Sequence, residues 1–316
     1  MLKKDKAPYN RSLEILPGEE AELAAKLLKI NTSVTQKGIT DKIINQDIFS
    51  VVELLPDTFV DLLFLDPPYN IYKKFNSGSF KIIDSVRYEE WLDSWLKKLL
   101  RLLKPDASVY VCGDWRASAA IYNTCSKYFK LQNRITWERE KGRGAKKNWK
   151  NCSEDIWFFT YSDSFTFNIE DVKVKRRVLA PYKLNGKPKD WVEDRATNYR
   201  ITYPSNIWND ITVPFWSMPE NTMHPTQKPE KLLAKIILAS SNKGDFIFDP
   251  FLGSGTSAVT AKKLGRRFCG VELDYEYCLL AQKRLNLADS DKSIQGFHDS
   301  LFWERNTLAD QRKKKK

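Results

Sequence analysis

A chain of 316 residues with 42% hydrophobic and 13% aromatic content has the length for one large domain or two ordinary ones, and is too aromatic to be disordered. Its formal net charge of +12 and pI near 9.3 point to a polyanionic partner, because a basic surface attracts phosphate and releases counterions. Five scattered cysteines without a CxxC pair indicate neither a disulfide framework nor a zinc site, and two histidines rule out a histidine-rich metal centre and argue against a Ser/His/Asp hydrolase, so no metal is expected.

No apolar stretch is long enough to span a membrane, and the opening MLKKDKAPYNRS lacks the apolar centre of a signal peptide; a soluble, cytoplasmic protein without membrane attachment is expected. Residues 1–38 read as an extension with one short helix, where Ala21, Leu23, Ala24, Leu27 and Leu28 recur at helical spacing. From about 41 onward short apolar runs alternate with helical patterns. The first strand centres on Ile43 and Ile44, with Asp47 just behind, and the second is Leu62-Leu63-Phe64-Leu65. Directly after it stands Asp66-Pro67-Pro68-Tyr69. The prolines fix their own φ and push the preceding residue out of the helical region, which holds Asp66 extended at the end of a buried strand. The Asp66 carboxylate and the Pro67 carbonyl can both accept from one NH2 group, and Tyr69 offers a face for a flat ring. The plainer reading is that two prolines stop a strand.

An amphipathic helix follows, with Tyr88, Trp91, Leu92, Trp95, Leu96, Leu99 and Leu103 on one face, and then strands at 108–112, 135–137 and 156–161. The stretch 139–220 breaks the rhythm with a basic succession that includes Arg143, Lys146, Lys147 and Lys150, the run 173–177, and Trp149, Trp191, Trp208 and Trp216. An irregular inserted subdomain is expected there, although a basic run alone is as readily a solvated face.

Further on, His224-Pro225-Thr226-Gln227-Lys228-Pro229 precedes a helix carrying Leu232, Leu233, Ile236 and Ile237. It is either a helix start, capped by Thr226 and framed by prolines, or a place where Lys228 meets a ligand carboxylate. A strand at 246–248 then runs through Asp249 and Phe251 into Gly253-Ser254-Gly255-Thr256, a glycine turn opening a helix, and the next strand ends at Glu272. Such a turn lets backbone approach a ligand, and an acid at the next strand end can hold ribose hydroxyls. The same string meets the loose dinucleotide fingerprint, so a nicotinamide-dependent oxidoreductase is the rival; no Gly-Lys-Ser/Thr follows, which excludes a P-loop. A helix around 275–285 and a terminal lysine run at 313–316 complete the chain.

Strands separated by helices indicate an α/β protein with a parallel-type sheet of seven strands covered on both faces. Together, the three strings and their order resemble the β group of amino-methylating DNA methyltransferases, over residues 41–290. The resemblance implies a Rossmann-like fold, S-adenosylmethionine as cofactor, and a reaction loop at Asp66, Pro67, Pro68 and Tyr69. It further implies that Phe251, Gly253 and Gly255, with the flanking Asp249, Ser254 and Thr256, form the cofactor site. Glu272 would hold the ribose, Lys228 and Thr226 the methionine end, and Asp47 would face the adenine. The implied plan is an extension at 1–38, a catalytic half at 39–138, target recognition at 139–220, a cofactor half at 221–290 and a basic tail at 291–316. Double-stranded DNA would meet Arg143, Lys146, Lys147, Asn148 and Lys150. Asp at the first loop position is usual for adenine-N6 enzymes, though cytosine-N4 enzymes overlap. The blocks 134–151 and 204–228 resemble modification methylases acting at AAGCTT, implying a separately encoded restriction endonuclease, with the methylase a monomer or homodimer.

Overall fold

The computed structural model describes residues 9–70, 73–75, 78–80, 83–139, 147–177, 183–188, 191–193 and 199–304. At its centre is an eight-stranded mixed sheet. In chain order its strands are β1 (Lys42–Ile44), β2 (Val60–Leu65), β3 (Leu103–Gly113), β4 (Lys130–Glu138), β5 (Ser153–Thr160), β6 (Ile207–Trp208), β7 (Phe246–Asp249) and β8 (Arg267–Val271), arranged β1-β8-β7-β2-β3-β5-β4-β6. The first five in that order run parallel, whereas β5 is antiparallel to both of its neighbours. The expected sheet of seven parallel-type strands is thus corrected to eight mixed ones. The addition is the two-residue β6, which lies parallel to the edge of β4 and is too short to leave a periodic signal.

β2 shows why both faces are covered. Leu63 and Leu65 point into one apolar cluster and Leu62 and Phe64 into the other, as period-two alternation requires. Helices α1 (Ser85–Leu99) and α2 (Ser118–Cys125) cover the first face; α3 (Glu230–Ala239), α4 (Thr256–Lys263) and α5 (Tyr275–Ser290) cover the second. Asp84 starts α1 by accepting from the Arg87 amide at 3.0 Å. The helix then buries Tyr88, Leu92, Trp95, Leu96 and Leu99, a gross contribution on the order of 10 kcal/mol.

Two expected boundaries move. β5 falls inside 139–220 yet pairs along its length with β3 and β4, so it belongs to the main sheet. Within 291–316, the strands Phe297–His298 and Leu301–Trp303 join Val174–Arg177, Tyr199–Thr202 and Trp191–Glu193 in a second, five-stranded sheet. The burial of Phe302 against Val174, Ala234 and Leu238 drives this docking, and Lys231 on α3 donates to the Trp303 carbonyl. The 313–316 run lies outside the described residues. In the N-terminal extension the short helix is Glu20–Ala24, and the chain then binds the edge of β1 through Leu28, whose amide donates to the Ile43 carbonyl at 2.8 Å. Among the described residues no helix is long and apolar enough to cross a membrane.

Candidate active site

The parallel strands end on one rim, where α/β sheets place their ligands. Asp47 follows β1, Asp66 follows β2, Asp114 follows β3, Phe251 follows β7 and Glu272 follows β8. A cavity of about 370 Å³, within the small-molecule range, opens between them. Its walls hold Asp66, Pro67, Pro68 and Tyr69 together with Asp47, Thr226, Phe251, Gly253 and Glu272.

The loop after β2 is braced from several sides. Tyr88 on α1 donates its hydroxyl to the Pro68 carbonyl at 2.9 Å, while the Asn70 amide donates to and accepts from the Ile83 backbone at 2.6 and 2.9 Å. Lys228 donates to both Asp66 oxygens, at 2.8 and 2.7 Å, and Tyr69 donates its hydroxyl to Asp66 Oδ1 at 2.8 Å. The Lys228 side chain is 5% exposed and that of Asp66 16%. Burial alone would depress the lysine pKa, but the carboxylates of Asp66 and Glu154 raise it, so the ammonium is firmly held. Burial, with Asp66 and Glu154 adding to it, pushes the Tyr69 phenol well above its ordinary range. Glu154, at the start of β5, lies 3.4 Å from the Lys228 ammonium and 3.3 Å from the Tyr69 hydroxyl, and accepts from Arg139.

Opposite this network, Glu272 is fixed by two backbone donors, Gly253 N–H and Asp274 N–H, each at 2.8 Å. Burial raises its pKa. Its oriented oxygens keep acceptor capacity for a vicinal diol, and Phe49, Phe251 and Leu273 supply apolar surface around it. Asp47 caps the helix Ile48–Val51 by accepting from the Phe49 amide at 2.9 Å, and lines the same cavity. A nucleoside fits this donor and acceptor set.

Five expected cofactor residues stand behind the wall rather than in it. Lys228 turns to Asp66, where a buried ammonium finds its counter-charge. Asp249 accepts from the Phe251 amide and the Ser257 hydroxyl, tying β7 to the turn and α4. Ser254 and Thr256 are buried, and both accept from Arg284 on α5. Gly255, at φ 84°, faces Ala281 rather than the cavity: an added Cβ would lie 2.6 Å from the Ala281 Cβ. Of the expected DNA contacts, Lys147, Asn148 and Lys150 are exposed near Asn151, which lines the cavity, whereas Arg143 and Lys146 lie outside the described residues. Sequence reading missed Glu154, Arg139, Asp114 and His224 in the wall. Glu154 carried a signal as an acid entering an apolar strand, and His224 opens the string from which Thr226 and Lys228 are read.

Comparison with known proteins shows the family and the fold. The DNA methylase family matches over residues 60–283. The DNA adenine methyltransferase YhdJ of Escherichia coli (strain K12) is 34% identical over 253 residues, spanning 78% of this chain and 83% of that protein. The type II methyltransferase M.HpaI of Haemophilus parainfluenzae is 31% identical over 265 residues, 82% of this chain and 77% of that protein. Among solved structures, the M1.HpyAVI–SAM complex superposes with a TM-score of 0.54 at 22% identity, covering 80% of this chain and 100% of that one. The cytosine-N4-specific PvuII DNA methyltransferase gives 0.57 at 18% identity, covering 80% and 87%, so the two share its fold. With its reaction loop and glycine turn opening on one cavity, and with the family match running from β2 into α5, the chain belongs to the N6/N4 DNA methylase family, and the oxidoreductase reading is set aside.

Proposed function

We propose that this protein transfers a methyl group from S-adenosylmethionine to the N6 nitrogen of an adenine flipped out of double-stranded DNA. The observation that carries the reading is the single cavity shared by the loop at Asp66 and the wall at Phe251, Gly253 and Glu272. When bound, the cofactor supplies an electrophilic methyl group. Glu272 would hold its ribose hydroxyls, Phe251 and Gly253 would flank the nucleoside, Asp47 would face its adenine and Thr226 its methionine end; all five line the cavity.

An adenine amino nitrogen is a poor nucleophile because its lone pair is shared with the ring. Asp66 accepts one N–H and the Pro67 carbonyl the other, which leaves the lone pair directed away from the ring plane. Asp66 Oδ1 already takes Tyr69 and Lys228, while Oδ2 takes Lys228 and keeps an acceptor site for the amino group. A carboxylate fixed in this way stabilises the positive charge that grows on the nitrogen. The Tyr69 ring lines the cavity and stacks on the base, offsetting part of the few kcal/mol of extrusion. Lys147, Asn148 and Lys150, together with Arg143 and Lys146, contact the duplex and position it.

The division into a catalytic half at 39–138 and a cofactor half at 221–290, in the β-group order, goes with this reading. The likeness of 134–151 and 204–228 to the HindIII modification methylase supports AAGCTT as the site and protection from a cognate endonuclease as the purpose, with the enzyme a cytoplasmic monomer or homodimer. Tritium transfer from labelled cofactor to duplex DNA, followed by nucleoside analysis for N6-methyladenine, tests the activity. Asp66→Ala should lower transfer by about a hundredfold or more while binding of DNA and cofactor persists. Full activity in that variant removes the role given to Asp66, and methylated DNA that is still cut at AAGCTT removes the assigned site.

A further inference from the structure

Asp114 and Glu154 are the acids of the cavity wall that the reaction described above does not use; Asp114 is tied to the amides of Arg116 and Ala117, whereas Glu154 reaches the groups around Asp66. It opens β5, a strand otherwise committed to the core through Ile156, Trp157, Phe158 and Phe159, and is itself 4% exposed. A carboxylate in such a place is strongly disfavoured unless it is paired and hydrogen-bonded. Its partners are all at the reaction site: Arg139, which lines the cavity, the Tyr69 hydroxyl at 3.3 Å and the Lys228 ammonium at 3.4 Å. Two acids and two bases therefore balance there, Asp66 and Glu154 against Lys228 and Arg139. Glu154 touches both side chains that bond to the Asp66 carboxylate.

We infer that Glu154 is a positioning residue: by anchoring Lys228 and Tyr69 it fixes the Asp66 carboxylate at the cavity wall, and so sets the rate of methyl transfer without accepting from the substrate. Without its charge, the buried Lys228 ammonium answers to one carboxylate instead of two. The titratable groups around that ammonium are Asp66 and Tyr69 from the loop after β2, Glu154 from β5 and Cys112 from β3. Of these, Glu154 and Asp66 are the acids that oppose its deprotonation, so loss of Glu154 brings deprotonation to lower pH.

The inference rests on the methyltransferase reading, and the test separates the two. Single-turnover transfer from labelled S-adenosylmethionine to duplex DNA is measured from pH 6 to 10 for the wild type, Glu154→Gln and Glu154→Asp, with cofactor and DNA affinities taken by titration. Glutamine keeps the size and one of the two accepting oxygens and removes the charge. The expected result is a tenfold or greater fall in single-turnover rate for Glu154→Gln, less than a threefold change in either affinity, and an alkaline limb that enters the range below pH 10, where the wild type, its Lys228 ammonium held above the ordinary lysine value, stays flat. Glu154→Asp retains charge, so its limb should stay with the wild type even where its rate falls, and it serves if the glutamine variant does not fold. An unchanged rate and limb overturns the inference, as does a loss confined to DNA affinity, which would make Glu154 a substrate contact. A wild type that transfers no label removes the underlying reading instead.

Discussion

Replacing each glycine of the turn by alanine separates two roles that their shared spacing conceals. Gly255 has φ 84°, and a Cβ built there lies 2.6 Å from the Ala281 Cβ and 3.0 Å from its Cα. The left-handed backbone costs an alanine roughly 1 to 2 kcal/mol. The collision adds about 1 to 3 kcal/mol, because the obstructing atoms belong to the first-turn packing of α4 on α5 and cannot swing aside. Gly255→Ala should therefore lose about 2 to 5 kcal/mol of stability, read as a lower urea midpoint with little change in slope. Gly253 also sits in the left-handed region, at φ 55°, but the nearest atom to its added Cβ is Nε2 of the His224 side chain at 3.0 Å. That ring can shift, so Gly253→Ala should lose only about 1 to 2 kcal/mol. Because Gly253 and His224 both line the cavity, it should instead weaken cofactor binding, measured by calorimetry. Equal stabilities for the two variants, or intact cofactor affinity in Gly253→Ala, refute the reasoning.

Asp249 gives a pH dependence with a defined sign. Burial pushes its carboxyl up to about 7, against hydrogen bonds from Ser257 and the Phe251 amide. Since the unfolded value is about 3.9, the folded state holds the proton longer, and stability declines as pH rises from about 4 to 7, by on the order of 4 kcal/mol. In Asp249→Asn the amide still accepts from Phe251 and can donate to Ser257, so its urea stability should lack this decline and gain on the wild type between pH 5 and 8; parallel curves would refute it. For the duplex contacts, the double variant Lys147→Ala/Lys150→Ala should reduce the slope of log affinity against log salt by about 2 if both lysines meet phosphates. An unchanged slope, measured by fluorescence anisotropy, removes them from the interface.

How much of the site was legible follows from what each string constrains. Two prolines after an apolar run fix the backbone of Asp66 wherever the strand sits, and an acid at the next strand end after a glycine turn faces the same rim, which is why Asp66, Phe251, Gly253 and Glu272 line one cavity. The partners of those residues were not legible, because they come from far along the chain: Lys228 is 162 residues from Asp66, and Glu154 is 85 from Tyr69. Nor does φ in a glycine turn reveal what stands opposite, and so Gly255 was read toward the ligand when it faces Ala281.

The direction of β5 decides the chemistry. In an all-parallel sheet the residues at the start of a strand lie on the side remote from the ligand, and an acid at 154 would be read as part of the far surface. β5 instead runs antiparallel to β3, with Asp155 opposite Gly113 and Ile156 opposite Cys112, so its first residues meet the last residues of β3 on the ligand rim. β4 runs antiparallel to β5 in turn, pairing Glu138 with Ser153, and this returns Arg139 to the same rim. The strand reversal thus delivers an acid and a base from the expected recognition segment to the reaction loop. The segment that precedes β5 and carries Lys147, Asn148 and Lys150 ends two residues before Glu154, at Cys152. Among the described residues flanking that segment, Glu154 is the one that touches Lys228 and Tyr69, with Arg139 bonded to it, so movement of the segment on binding DNA would reach Asp66 through Glu154. The charge-neutral Glu154→Gln variant should therefore lose part of the difference in methyl-transfer rate between cognate and non-cognate duplexes; an unchanged ratio of the two single-turnover rates would show that recognition reaches Asp66 by another route.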